Sequence, residues 1–220
     1  MNSRRIGYLG IGAWCLFWSA SVVLGRLRPS YSHVVNTISE LGAAGTPNAT
    51  LWNVLGFIVP GVLLAITGAA FARSANTKPS LSRTLATILL VLSGLAIAGQ
   101  GLMPAVMADG IADITSPSTR GHFISSLISG AAWAAGVLLL VRPMKRNPDW
   151  HGLHIVSGVL VALTLIASFA LRGALPDGLA QRIGNSFFCV WFVVMSLRLV
   201  SLGNATAPSH ASGTASSRGR

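Results

Sequence analysis

Glu40, His122 and Arg182 are a carboxylate, an imidazole and a guanidinium set far apart in a chain that carries few charges. A carboxylate removed from water needs a cation, and a guanidinium offers it two parallel donors. An imidazole changes charge near neutrality and can act as acid, base or ligand. We therefore expect these three to meet in one pocket, Glu40 paired with Arg182, with Asp113 and Arg172 near its rim. Ser126 and Ser129 follow His122 at offsets of four and seven, which on a helix is one face. With Glu40 or Asp113 assisting His122, Ser126 would be a candidate nucleophile. A metal version would use His122 with Asp109 or Asp113, which falls short of three ligands, so no metal is expected. No HExxH, GxSxG or Walker pattern is present, and no cofactor follows from the sequence.

Further polar residues extend the set. Asn53 and Gln100 border apolar runs. Thr164, Ser168 and Arg172 recur every four residues, and Arg182, Asn185, Ser186 and Cys189 form another helical stripe. The expected ligand-binding residues are Ser39, Glu40, Asn53, Gln100 and His122, continued by Ser126, Arg172, Arg182 and Asn185. His151 and His154 supply only two ligands and read as interfacial histidines, while His210 falls in a polar tail. Cys15 and Cys189 lie in apolar runs as packing residues. Trp52 and Trp150 suit interface anchors. Ser126-xxx-Gly130 and Ala132-xxx-Gly136 have the small-residue spacing of close helix contacts.

The elements that must carry these groups are membrane helices. Hydrophobic residues make up 52% of the chain and charged residues 10%, too few charges for a water-covered surface. The net charge of +11 is not gathered in one patch, as a nucleic-acid binder would have it. It falls between long apolar runs, so a lipid bilayer and not nucleic acid is the partner. About 20 residues of helix cross the hydrocarbon core, and six segments qualify: 6–25, 50–72, 84–103, 121–141, 152–171 and 183–202. The expected fold is an all-α, polytopic six-helix bundle over residues 1–203, followed by a disordered tail over 204–220. Placing both termini in the cytoplasm puts 11 positive residues inside and 5 outside, which the positive-inside rule favours. Glu40, Asp109, Asp113 and Asp177 then lie outside, and Asp149 inside. Arg4 and Arg5 before an apolar run resemble a signal peptide, but the run is long, so a retained anchor is expected. The loop over 26–49 has a tyrosine, a histidine and spaced glycines, which suits a defined path more than a slack linker.

Ile38-Ser39-Glu40-Leu41-Gly42, then Gly45-Thr46-Pro47-Asn48-Ala49 and Asn53 entering an apolar helix, resembles the prokaryotic membrane family called domain of unknown function 998. An acid ahead of Gly121-His122 and the step Gln181-Arg182 are similar to the same family, although its members often have Glu where this chain has Gln181. The likeness covers residues 6–202 and implies six helices and little biochemistry; the expected location is the bacterial plasma membrane. The Ser-Glu-Leu-Gly loop is also remotely similar to the Frag1/DRAM/Sfk1 family, membrane proteins associated with lipid handling. The expected function is binding or handling of a lipid or small polar ligand in a pocket open to the outer side. Arg172 and Arg182 would meet its phosphate or carboxylate. The alternative is an intramembrane lipid hydrolase or transferase using Glu40, His122 and an outer-loop Asp. A transporter comes third, because spans one to three show no repeat in spans four to six.

Overall fold

The computed structural model describes residues 2–205. Six long helices dominate it: α1 (Ser3–Arg26), α2 (Ala49–Ala75), α3 (Leu81–Leu102), α4 (Pro117–Arg146), α5 (Leu153–Ala170) and α6 (Asp177–Ala205). Each is long and apolar enough to cross a bilayer. Residues such as Leu127, Ile155, Ile166 and Phe169 stay exposed on the outer surface of the bundle, as a lipid solvent allows.

The expected spans find the middles of the helices and miss their ends, because polar caps fix the ends. Ser80 accepts the backbone N–H of Arg83 at the start of α3. Pro117 opens α4, where its missing N–H costs nothing. Asp177 opens α6, where the helix dipole favours a negative charge. Helix α6 continues to Ala205, so the first two residues of the expected tail are helical. The rest of that tail, with His210, lies outside the described residues.

Helices adjacent in sequence pack side by side, and α6 returns to α1, so the ring closes. Helix α2 lies further in and also touches α4 and α6. Its path bends through a π-helical stretch over Asn53–Ile58, where the Val59 N–H reaches Val54 O. Pro60 explains it: proline has no N–H for the usual bond and its ring would strike the carbonyl four residues back, which the wider turn relieves. An aromatic core fills the centre. Trp133 stacks edge-on against Phe188 at 4.7 Å and Trp191 at 5.8 Å. Trp52 and Trp150 are fully buried and are not interface anchors. Trp52 packs on Phe17 and Phe57, and the Trp150 indole donates to Ser74 Oγ at 3.3 Å.

The described ends of the chain, where Gly203 meets Arg4, lie at one end of the bundle; we call the opposite end outer, following the positive-charge distribution. A two-stranded hairpin, β1 (Met107–Ala108) and β2 (Ile111–Ala112), stands there between α3 and α4. Its turn is Asp109-Gly110, with φ of 51° and 80°, the left-handed pair that Asp-Gly favours in tight hairpins.

Helices α2 and α3 touch at the backbone. A Cβ on Gly61 would lie 2.6 Å from Gly94 O, and one on Gly94 would lie 2.6 Å from Gly61 O. Gly94→Ala should therefore lower unfolding stability by about 1–3 kcal/mol through overpacking, whereas Gly158→Ala, with open space around it, should not. Thermal melting in micelles checks this; equal midpoints for the two variants would contradict the close contact.

Candidate functional site

The loop between α1 and α2 folds back over the outer end of the ring. Its Ile38–Gly42 stretch is a single 3-10 turn. Glu40 holds this turn to its own approach: Oε1 accepts the Thr37 N–H at 2.8 Å and Oε2 accepts the Asn36 amide at 2.7 Å. Arg28 donates to the Glu40 carbonyl at 2.8 Å. Glu40 therefore makes no ion pair with Arg182, and the expected pair is corrected. Among the described residues, the ion pair within reach is Arg198 with Asp149, at the opposite end.

Arg182 latches the same loop to α6. Its guanidinium donates to Asn36 O and to Gly178 O, both at 2.9 Å, to the Tyr31 hydroxyl, and to His33 Nδ1 at 3.1 Å. Burial pushes the Tyr31 phenol up, against the pull of the Arg182 charge. Tyr31 thus keeps its proton and donates it to Thr37 O at 2.9 Å. Gln181 adds a second tie, accepting the Ile38 N–H at 2.6 Å. The backbones meet as well, Gly178 and Leu179 donating to Val35 and Val34 carbonyls.

His122 is buried on α4 and faces the 3-10 turn. Its Nδ1 lies 3.0 Å from Gln100 O and 3.1 Å from Met103 O, and its Nε2 lies 3.1 Å from Ser39 Oγ. Two carbonyls can only accept, so Nδ1 carries the hydrogen. In the neutral ring Nε2 then accepts the Ser39 hydroxyl. The serine poised on His122 is thus Ser39, not the expected Ser126, which sits a turn deeper in α4.

Two cavities adjoin beneath the loop. The outer one, about 380 Å³, is bordered by Ser39, Glu40, His122, Arg172 and Gln181 and by the hairpin at Met107 and Ile111. The inner one, about 160 Å³, reaches into the bundle between Trp14, Phe17, Phe57, Leu64 and Phe188. Ser39, Arg172 and Gln181 border both. Polar groups from α3 to α6 also line the inner cavity: Gln100, Ser126, Thr164, Ser168 and Asn185. The indole N–H of Trp14, a residue 5% exposed, has no protein partner.

Of the expected ligand residues, Ser39, Gln100, Ser126, Arg172 and Asn185 border the inner cavity, and Glu40 and His122 the outer one. Asn53 and Arg182 border neither. Asn53 instead donates to Gly42 O at 3.0 Å, fixing the end of the 3-10 turn. The expected stripe on α6 is displaced by one residue: Gln181, Gly184, Asn185 and Phe188 face the cavity, and Ser186 bonds back to the Arg182 carbonyl at 2.8 Å. Asp113 borders neither cavity. It accepts from Thr115 Oγ1 at 2.6 Å and Thr115 N at 2.9 Å, bonds that hold its carboxyl below the usual range. Gln181 is the residue that sequence reasoning missed, the polar step opening α6 being the available signal, and Ser39 was expected as a ligand residue but not as the partner of His122. No group of three or more His, Cys, Asp or Glu able to hold a metal occurs among the described residues.

A ring of six apolar helices enclosing a small polar-mouthed cavity defines a multi-pass membrane protein. The chain belongs to the family described as protein of unknown function (DUF998), whose model matches residues 11–198. That match does not extend to the Frag1/DRAM/Sfk1 family. No curated protein and no solved structure matches the chain.

The latch should be sensitive to acid. Burial first, then the Arg182 and Arg26 charges, holds the His33 imidazole below its ordinary 6.5. The latched loop thus binds this proton less readily than the released loop. The latch keeps its full contribution above about pH 6.5 and loses it as pH falls through the depressed value. Hydrogen-exchange protection factors of residues 31–40, which divide out the intrinsic pH dependence of exchange, should fall on acidification below that point, and Arg182→Met should show low protection at every pH. A pH-independent protection factor in the parent would contradict the latch.

Proposed function

We propose that this protein binds an amphiphile with an anionic head, its head in the outer cavity and its apolar part in the inner one. The observation carrying this reading is the junction of the two cavities, where Arg172 stands with Ser39 and Gln181. A cation at the mouth of an apolar recess recognises a carboxylate or phosphate by charge and the attached chain by burial. The size supports a short chain or an aromatic group. A cavity of about 150 Å³ takes benzene, and the inner cavity here is about 160 Å³. The unpartnered Trp14 indole supplies a spare donor on its wall.

Gly130 offers the test. It borders the inner cavity, and a Cβ there would meet nothing within 4 Å, so Gly130→Leu fills the space without disturbing the helix. A photoreactive diazirine analogue of decanoate should label residues along α4 and α6 that face the cavity. Gly130→Leu should abolish that labelling, and Arg172→Gln should weaken it about tenfold or more, the worth of one charge-assisted hydrogen bond. Labels confined to lipid-facing residues, and equal in all three proteins, would overturn the reading.

A second reading rests on the Ser39–His122 bond. Ser39 Oγ would attack an ester carbonyl while its proton passes to His122 Nε2; the leaving alcohol would take that proton, and water, deprotonated by the same Nε2, would release the acid from Ser39. The carbonyls of Gln100 and Met103 do the orienting that a carboxylate does in a serine triad. A fluorophosphonate probe should then add once, at Ser39, in the parent and not in Ser39→Ala or His122→Gln. An unlabelled parent, folded by its melting curve, would remove this reading and leave the binding proposal standing.

A further inference from the structure

The end of the bundle where Gly203 meets Arg4 holds a separate concavity of about 860 Å³, formed by the α2–α3 connection and the last turns of α4. Three cations border it: Lys78, Arg142 and Arg146. Arg142 and Arg146 are exposed and four residues apart, so they project from one face of α4. Like charges at that spacing repel each other. No carboxylate relieves them among the described residues. Asp149 is the one acid that the sequence places at this end, and Arg198 occupies it, pairing with its carboxylate at 3.5 Å and donating to its backbone carbonyl. The concavity is therefore a site of concentrated, uncompensated positive charge.

Hydroxyl groups stand at the same place. Asn76 donates to Ser80 Oγ at 3.0 Å and to Ser82 Oγ at 3.2 Å, and all three residues border the concavity. With the Asn76 amide as donor, the serine oxygens are held as acceptors and a hydroxyl hydrogen is left to offer a ligand oxygen. Toward the membrane the chemistry changes within one turn. Leu138, four residues before Arg142 on the same face, is 54% exposed, and Leu85 on α3 is 42% exposed. Cations above, hydroxyls between and bare leucines below match an anion that continues into hydrocarbon.

We infer that this groove binds the phosphate headgroup of an anionic phospholipid from the adjoining leaflet. The phosphate lies among Lys78, Arg142 and Arg146, and the acyl chains run along Leu138 and Leu85. The arginine pair gives directional, two-donor contacts to phosphate oxygens, and the lysine adds a point charge. The positive-inside distribution puts this groove at the cytoplasmic leaflet, where anionic lipids concentrate and basic pockets between helices take their headgroups.

The experiment is native mass spectrometry of the full chain released from nanodiscs of equal phosphatidylglycerol and phosphatidylcholine. The parent should retain phosphatidylglycerol in preference to phosphatidylcholine. K78Q/R142Q/R146Q should lose at least fivefold of that preference, with R142Q and R146Q intermediate and all melting like the parent. R4Q/R5Q/R73Q, which removes as many charges from the same end outside the groove, should keep it. An equal loss in that control would reduce the effect to diffuse attraction and overturn the assignment. Retention of both lipids alike would also overturn it. So would displacement of the retained lipid by millimolar inorganic phosphate, which would make the groove a site for a soluble anion.

Discussion

A backbone carbonyl near hydrocarbon must be given a donor, and the outer end of this bundle is built around one side chain that does so repeatedly. Arg182 satisfies Asn36 O from the loop and Gly178 O from the first turn of α6 with the same guanidinium, and adds Tyr31 and His33. Without it the part-buried Asn36 carbonyl would lose its donor, a cost of order 1–3 kcal/mol, and the loop would lose its side-chain tie to α6. The position of Ser39 follows from this latch. Gln181, the neighbour of Arg182, holds the Ile38 N–H, and the next residue is thereby set against His122. The cavities and the Ser39–His122 bond both presuppose that the loop is down.

Much of the fold was legible because hydrocarbon imposes a rule that survives in composition. Twenty apolar residues in a row have few other uses, and all six middles were found. The ends were not, since Ser80, Pro117 and Asp177 act locally and outside the hydropathy pattern. The hairpin escaped because each of its strands has two residues, although Asp109-Gly110 announced the turn. The small-residue reading was half right. Gly136 does meet α3, where a Cβ would lie 3.1 Å from Leu90, while Gly130 faces empty space.

The site was legible by residue type and less so by pairing. Which polar residues gather at the outer end followed from the cost of leaving them in lipid. Which of them touch did not, because scarce charges suggested that opposite signs would seek each other. Glu40 found backbone and amide donors within four residues of itself, and Arg182 found carbonyls. For a loop that must bury its own backbone, neutral acceptors and donors close in sequence compete successfully with a distant ion. A one-residue error in reading the α6 stripe likewise moved attention from Gln181 to Arg182, since a helix turns 100° per residue.

The circular order of the helices has a consequence for how the chain reaches its final form. Five of the six contacts in the ring join helices that leave the ribosome one after another, so each can dock against the one before it. The sixth, between α1 and α6, waits for the last span. Small residues make that seam: a Cβ on Gly7 would lie 2.6 Å from the Ser196 carbonyl, and one on Gly10 would come into collision with the Ser196 side chain. Until synthesis reaches this seam, Trp14 lacks the Phe188 and Phe192 rings of α6 on which it packs. The α1–α6 seam is thus a single closure event, and the enclosed space exists only once α6 has been made.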